Sequence, residues 1–206
     1  MTHTLHRRGT AENLSGDYVV LMQHAVGIND ADYIPTEQKF LRMALRHNPV
    51  NIGTDTRGNM YSHQTEEIIA GISEGGDVHA VFDNSRDLIE FLKELKEADL
   101  GLSVVVSGIF EDVDKCLKAA GLKHHTANFS LGIWGKTDLL PGNNILEITT
   151  MCGHGLISAN LVMALVEDVK TGRKASEEAA KALTPNCTCG VFNPVRAARL
   201  LAAMAK

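Results

Sequence analysis

No stretch of this chain is apolar for long enough to span a bilayer, and its longest apolar runs are strand-sized or amphipathic. Met1 to Gly9 is polar and basic, without the apolar core of a secretory signal. Excess positive charge is also missing. The formal net charge of -5 argues against a general nucleic-acid binder, which needs concentrated Lys and Arg to displace counterions. Arg7 and Arg8 read as a solvated pair. No linker rich in Pro, Ser or Gly divides the 206 residues, so the expectation is a single domain over 1–206. Familiar catalytic signatures are absent as well: no Gly-rich dinucleotide fingerprint, no phosphate loop, no Gly-x-Ser-x-Gly elbow and no His-Glu-x-x-His helix.

What is present is an ordinary globular composition, 44% hydrophobic and 22% charged. Hydrophobic periodicity predicts strands at Asp17–His24, Val50–Gly53, Val78–Phe82, Leu102–Val106, Thr126–Trp134 and Ile145–Thr150. Helices are expected from Thr36 to Arg46, Ser62 to Ser73, Ser85 to Ala98 and Glu111 to Ala120. Three more follow, at Leu156–Val169, Ser176–Leu183 and Pro194–Met204. The order predicts an α/β or α+β fold, with a sheet of roughly six short strands under covering helices, ferredoxin-like βαβ units and a helical C-terminal part.

Four cysteines in a chain with a close Cys187-Thr188-Cys189 pair do not suit a secreted disulfide framework. A reducing, cytoplasmic setting fits better. Cys116 falls on the apolar face of a helix and reads as a core thiol. The other three differ. Cys152 precedes Gly153-His154-Gly155 at what reads as a strand-to-helix turn, where flanking glycines let a bulky group approach. Cys187 and Cys189 lie on a loop held by Pro185, Gly190 and Pro194, with Asn193 as N-cap of the last helix. A helical hairpin turning at Thr171-Gly172-Arg173 within 150–206 would return this loop to Cys152. Three thiolates meeting at one centre is the resulting expectation.

Three thiolates leave a four-coordinate centre one ligand short. A [4Fe–4S] cluster with an open iron would bind a small polar substrate there and suit lyase chemistry, dehydration or desulfuration. Structural zinc closed by His154 is the alternative, giving a Cys3His interaction or regulatory domain. An iron–sulfur electron-transfer subunit is a further one, and a redox or nucleophilic thiol ranks last. For the enzyme reading, His154 and Asp55 are the candidate proton carriers, and Arg57, Arg196 and Ser158 the candidate substrate contacts. Partners are then a small-molecule substrate, with no nucleic acid and no membrane; a homo-oligomer is compatible with the sequence, which does not fix the oligomeric state.

Overall fold

The computed structural model describes residues 4–206; the first part of the N-terminal reading, Met1 to His3, lies outside them. A short helix α1 (Ala11–Leu14) leads into β1 (Tyr18–Gln23), whose run of Val, Leu and Met suits a strand buried on both faces. The chain continues through α2 (Tyr33–Leu45), β2 (Asn51–Thr54), β3 (Gly58–Asn59), α3 (Thr65–Ala70), β4 (Val78–Phe82), α4 (Ser85–Ala98), β5 (Ser103–Ser107) and α5 (Phe110–Ala119). Four further helices close it: α6 (Asn143–Thr149), α7 (Ala159–Lys170), α8 (Ser176–Leu183) and α9 (Pro194–Met204).

The five strands form one sheet in the order β3-β2-β4-β1-β5, every neighbouring pair antiparallel. Helix α2 carries the chain from β1 to β2 with β4 lying between them. Helix α4 carries it from β4 to β5 with β1 between. Two interleaved split βαβ units of this kind are the ferredoxin-like arrangement. The hairpin β3 is an addition at the edge.

Because side chains alternate along a strand, β1 feeds two separate cores. Tyr18, Val20 and Met22 join Phe40, Ile68, Phe91 and Leu92 from α2, α3 and α4 on one face. Val19 and Leu21 join Ile148, Val162, Leu183 and Leu201 from the C-terminal helices, and Phe192 from the loop before α9, on the other. The sheet is therefore covered on both sides. Local signals close the helices cleanly. Asn84 accepts from the Asp87 amide at 2.9 Å to start α4, and Gly121, at φ +68°, lets the Leu122 amide reach the Leu117 carbonyl at 2.8 Å after α5.

Two expected strands are corrected. Ile145–Thr150 is helical, as α6, because burying Ile145 and Ile148 together on the C-terminal layer outweighs their β-branched character. Thr126–Trp134 forms no ladder and runs exposed between α5 and α6. In the other direction, Gly58–Asn59 pairs with β2 where only a polar loop was expected, the left-handed Gly58 (φ +107°) closing the turn. Helix α2 also starts before Thr36, at Tyr33, behind a left-handed Asp32.

Candidate metal centre

Cys152 sits in the turn between α6 and α7, so the junction is helix to helix rather than strand to helix. The turn is closed by the Gly155 amide donating to the Cys152 carbonyl at 3.1 Å, with Gly155 left-handed at φ +69°. Antiparallel packing of α7 and α8 returns the chain, as the hairpin reading expects. The reversal is made by Gly172 (φ +72°) and an Arg173–Asp168 ion pair at 2.8 Å. The loop after α8 bends through Gly190 (φ +79°), whose amide donates to the Cys187 carbonyl at 3.1 Å.

The three cysteines meet. Cys187 and Cys189 are fully buried and Cys152 is 2% exposed. The Cys187 and Cys189 sulfurs stand 3.9 Å apart, and Cys152 and Cys187 lie close enough to shift one another's ionisation. His154 lies on the solvent side, exposed, with Nδ1 3.6 Å from the Cys189 sulfur. No disulfide joins any of the four cysteines. Cys116 packs apart from the other three, against Tyr18 in the other core.

The sulfurs compete for charge. The Cys187 hydrogen bond, joined by the backbone amides of Leu156 and His154, outweighs burial and brings the Cys152 thiol down to about 6. Cys187 moves far up, because it serves as donor to Cys152 and Cys189 and is buried beside both. Of these two, Cys152 ionises readily and Cys187 does not unless a cation compensates it.

The loop carrying Cys187 and Cys189 is held by residues that carry no sequence motif. The Asn59 side chain, wholly buried, donates to the Thr184 carbonyl at 3.1 Å and to the Cys187 carbonyl at 2.8 Å. Asn51 donates to the Phe192 carbonyl at 3.0 Å. Between them Gly53 and Gly190 touch backbone to backbone. A Cβ on Gly53 would stand 2.9 Å from the Cys189 carbonyl oxygen, and one on Gly190 2.7 Å from the Gly53 Cα. Two asparagines in short strands, where Asn is a poor β-former, were the available signal.

Arg7 completes the frame. Its guanidinium pairs with Asp17 and donates to the Val191 carbonyl, and at 3.4 Å to the Met151 carbonyl, linking the backbones that flank both sulfur loops. The reading of Arg7 as a solvated residue is thereby corrected. Arg196 is 1% exposed. It is committed to Asp17 at 3.1 Å and to the Arg8 and Asn13 carbonyls at 2.6 and 2.8 Å. Asn193 caps α9 as expected, accepting from the Arg196 amide at 2.9 Å, and also donates to Asp17 at 3.0 Å. Burial pushes the Asp17 carboxyl up, but Arg7 and Arg196 beside it bring it below its usual range.

Other candidate residues lie outside this frame. Asp55 and Arg57 are exposed on the β2–β3 turn, where Asp55 accepts from the Asp77 amide at 2.9 Å and the Arg57 stem lies against Gly71. Ser158 is exposed at the start of α7 and makes no capping hydrogen bond. His79, which no sequence pattern singles out, is 1% exposed on β4 opposite Gly53. A cavity of about 470 Å³ opens between β5, α5 and residues 122–130, and none of the four cysteines lines it.

As the side chains stand, no group of three or more His, Cys, Asp or Glu among the described residues is spaced to hold a metal ion. Among those residues no helix is long and apolar enough to cross a membrane. Compared with known protein families, with curated proteins and with solved structures, the chain matches none.

Proposed function

We propose that Cys152, Cys187, Cys189 and His154 bind one zinc ion, and that the chain is a zinc-stabilised interaction or regulatory domain. The observation that carries this reading is a pair of separations, 3.9 Å between the Cys187 and Cys189 sulfurs and 3.6 Å from Cys189 to His154. Two donors on a tetrahedral zinc, with bonds of about 2.3 Å to sulfur and about 2.0–2.1 Å to nitrogen, stand about 3.8 Å and about 3.6 Å apart. The four donors as placed do not yet surround one point; rotation of side chains on the two glycine-bounded turns is the completing step. A dication would also relieve the competition for charge between Cys152 and Cys187. Joining the α6–α7 turn to the loop before α9, it would staple the helical layer into one piece. Reduced, buried thiols of this kind suit a reducing compartment, which makes the cytoplasm the proposed location.

The second reading is the iron–sulfur enzyme, and one observation favours it. His154 is exposed and reaches the sulfurs only from the solvent side, so it can turn away and leave a fourth position open. The three cysteines would then hold a [4Fe–4S] cluster whose open iron supplies Lewis acidity for lyase chemistry on a small polar substrate. His154 would carry protons; Arg196, tied to Asp17, would not contact substrate. Against this, a cluster assigns each thiolate to a separate iron and spreads the sulfurs wider than one ion does.

Metal and acid-labile sulfide analysis of anaerobically purified full chain decides between them. The zinc reading expects one zinc per chain and no sulfide, with the metal lost in Cys152→Ser and Cys187→Ser and held more weakly in His154→Ala. Iron and sulfide in equal, multiple amounts would overturn it in favour of the cluster. A chain that takes up neither under reducing reconstitution sinks both.

A further inference from the structure

Between α5 and α6 the chain leaves the body of the protein as a long arm. From Phe129 to Leu140 it exposes six large apolar side chains: Phe129 by 63%, Leu131 by 84%, Ile133 by 41%, Trp134 by 75%, Leu139 by 74% and Leu140 by 40%. Together they present on the order of 700 Å² of apolar surface, given aromatic side chains of about 150–250 Å² each. That exceeds the few hundred Å² a free surface patch usually carries, and it approaches the roughly 800 Å² each partner buries in a standard interface.

The arm is also patterned as a strand without a sheet. Phe129, Leu131 and Ile133 alternate with Ser130, Gly132 and Trp134, yet the segment has no ladder. Beside its root lies the complementary feature. β5 is the edge of the sheet, paired on one side with β1 and with no strand among the described residues on the other. Along that edge runs the cavity of about 470 Å³, with Val104, Val106, Phe110, Val113 and Leu117 in its lining. Phe129 anchors the root of the arm on Phe110, with ring centroids 5.3 Å apart, so the residues beyond it project away from their own chain.

We propose that this edge is the interface of a two-fold dimer. The arm of each copy adds to β5 of the other as a further strand and seats Leu131 and Ile133 in the cavity beside it, while Trp134, on the other face of the strand, is covered by the second copy. A second copy is the occupant because one chain carries both halves of the match, an unpaired strand-patterned arm and an unpaired edge, and a two-fold axis satisfies both at once. The exchange removes an open edge and an exposed apolar patch together, the two features that soluble proteins otherwise protect. The three cysteines of the proposed metal centre lie in the core on the other face of the sheet and do not line the cavity, although Arg7 and Asp17, which frame the sulfur loops, reach it.

Sedimentation equilibrium on the full chain, followed by amide exchange at matched concentrations, tests this. The expected species has twice the 22.3 kDa chain mass and dissociates on dilution. Trp134, the one tryptophan, should shift its emission to the blue on association. Amides of 103–107 and 126–134 should be protected in the dimer and exchange in the monomer. Leu131→Asp, at an exposed position, should give a folded monomer with unchanged metal content and red-shifted Trp134. A monomer at every concentration overturns the proposal. A dimer whose arm exchanges freely or survives Leu131→Asp places the interface elsewhere and overturns it too. Protection of both segments in a monomer would show the arm closing on its own edge, which equally overturns the dimer.

Discussion

The Asn59 side-chain amide gives both of its hydrogens to the loop that carries two of the three sulfurs, reaching the Cys187 carbonyl at 2.8 Å and the Thr184 carbonyl at 3.1 Å. Its oxygen accepts from the Tyr61 amide at 2.9 Å, so every polar atom of this buried side chain is used. The β2–β3 hairpin is therefore the template on which the Cys187–Cys189 loop is formed.

Asn59→Ala should remove one of the two hydrogen bonds at each of the Thr184 and Cys187 carbonyls and leave the Tyr61 amide without its partner. A loss of about 2–4 kcal/mol is expected, since each lost hydrogen bond contributes about 0.5–1.5 kcal/mol and one unsatisfied buried amide costs about 1–3 kcal/mol. Urea denaturation would show it as a lower midpoint. The sulfur loop should loosen with it, so the metal off-rate should rise in a chelator competition assay. A variant as stable as the parent, with unchanged metal release, would remove Asn59 from its positioning role.

Asp17 is the shared anion of Arg7 and Arg196. Asp17→Asn should strand two buried guanidiniums and destabilise the protein by about 3–5 kcal/mol. The sign of the pH effect follows from its lowered folded value. The unfolded carboxyl titrates near 3.8, so the stabilisation is complete above that pH. It is lost as pH falls from there through the folded value. Acid unfolding monitored by circular dichroism should begin at higher pH in the variant.

Glu37 behaves oppositely. Wholly buried on α2, both of its oxygens lack a hydrogen-bond partner, and the nearest base is His24, with Nδ1 3.7 Å away. Burial pushes its carboxyl up from 4.5 to about 8, with Asp77 and Asp55 adding to the effect. The folded state then holds a proton that the unfolded state has lost, so this group subtracts stability as pH rises from 4.5 to about 8. Glu37→Met should gain about 1–3 kcal/mol at pH 8 and flatten the dependence over that window. Thermal melts of both proteins across the range would reveal a parallel dependence if Glu37 were irrelevant.

Cys116 provides the internal contrast. As a buried thiol packed against Tyr18 it should cost about 1–2 kcal/mol when replaced by Ala, through lost packing. Metal content should not change. A Cys116→Ala protein that loses metal would redraw the centre.

Much of the framework was readable because its signals are local. The apolar run of β1, the amphipathic Ser85–Ala98 span of α4, the Gly121 stop of α5 and the Asn193–Pro194 start of α9 are each local to their own element. Readings failed where the deciding contact is distant. The Ile145–Thr150 stretch looks extended by composition, yet α7 and α9 receive it as a helix. Phe129 to Trp134 has strand alternation but no neighbour in its own chain to pair with.

The sequence by itself determined the glycine-bounded turns and the α7–α8 hairpin, local features that bring the Cys187–Cys189 loop back toward Cys152, and it offered His154 only as one alternative for a fourth place. It also determined that Cys116 stands apart, by helical phase alone. Only the tertiary structure decided the separations on which the zinc proposal rests, 3.9 Å between the Cys187 and Cys189 sulfurs and 3.6 Å from Cys189 to His154. It alone showed that Asn51, Asn59, Gly53 and Arg7 hold the sulfur loops, and that Arg196 belongs to a core ion pair. Those contacts join residues more than a hundred positions apart, and such pairings are set by how the sheet and helical layer pack rather than by any pattern along the chain.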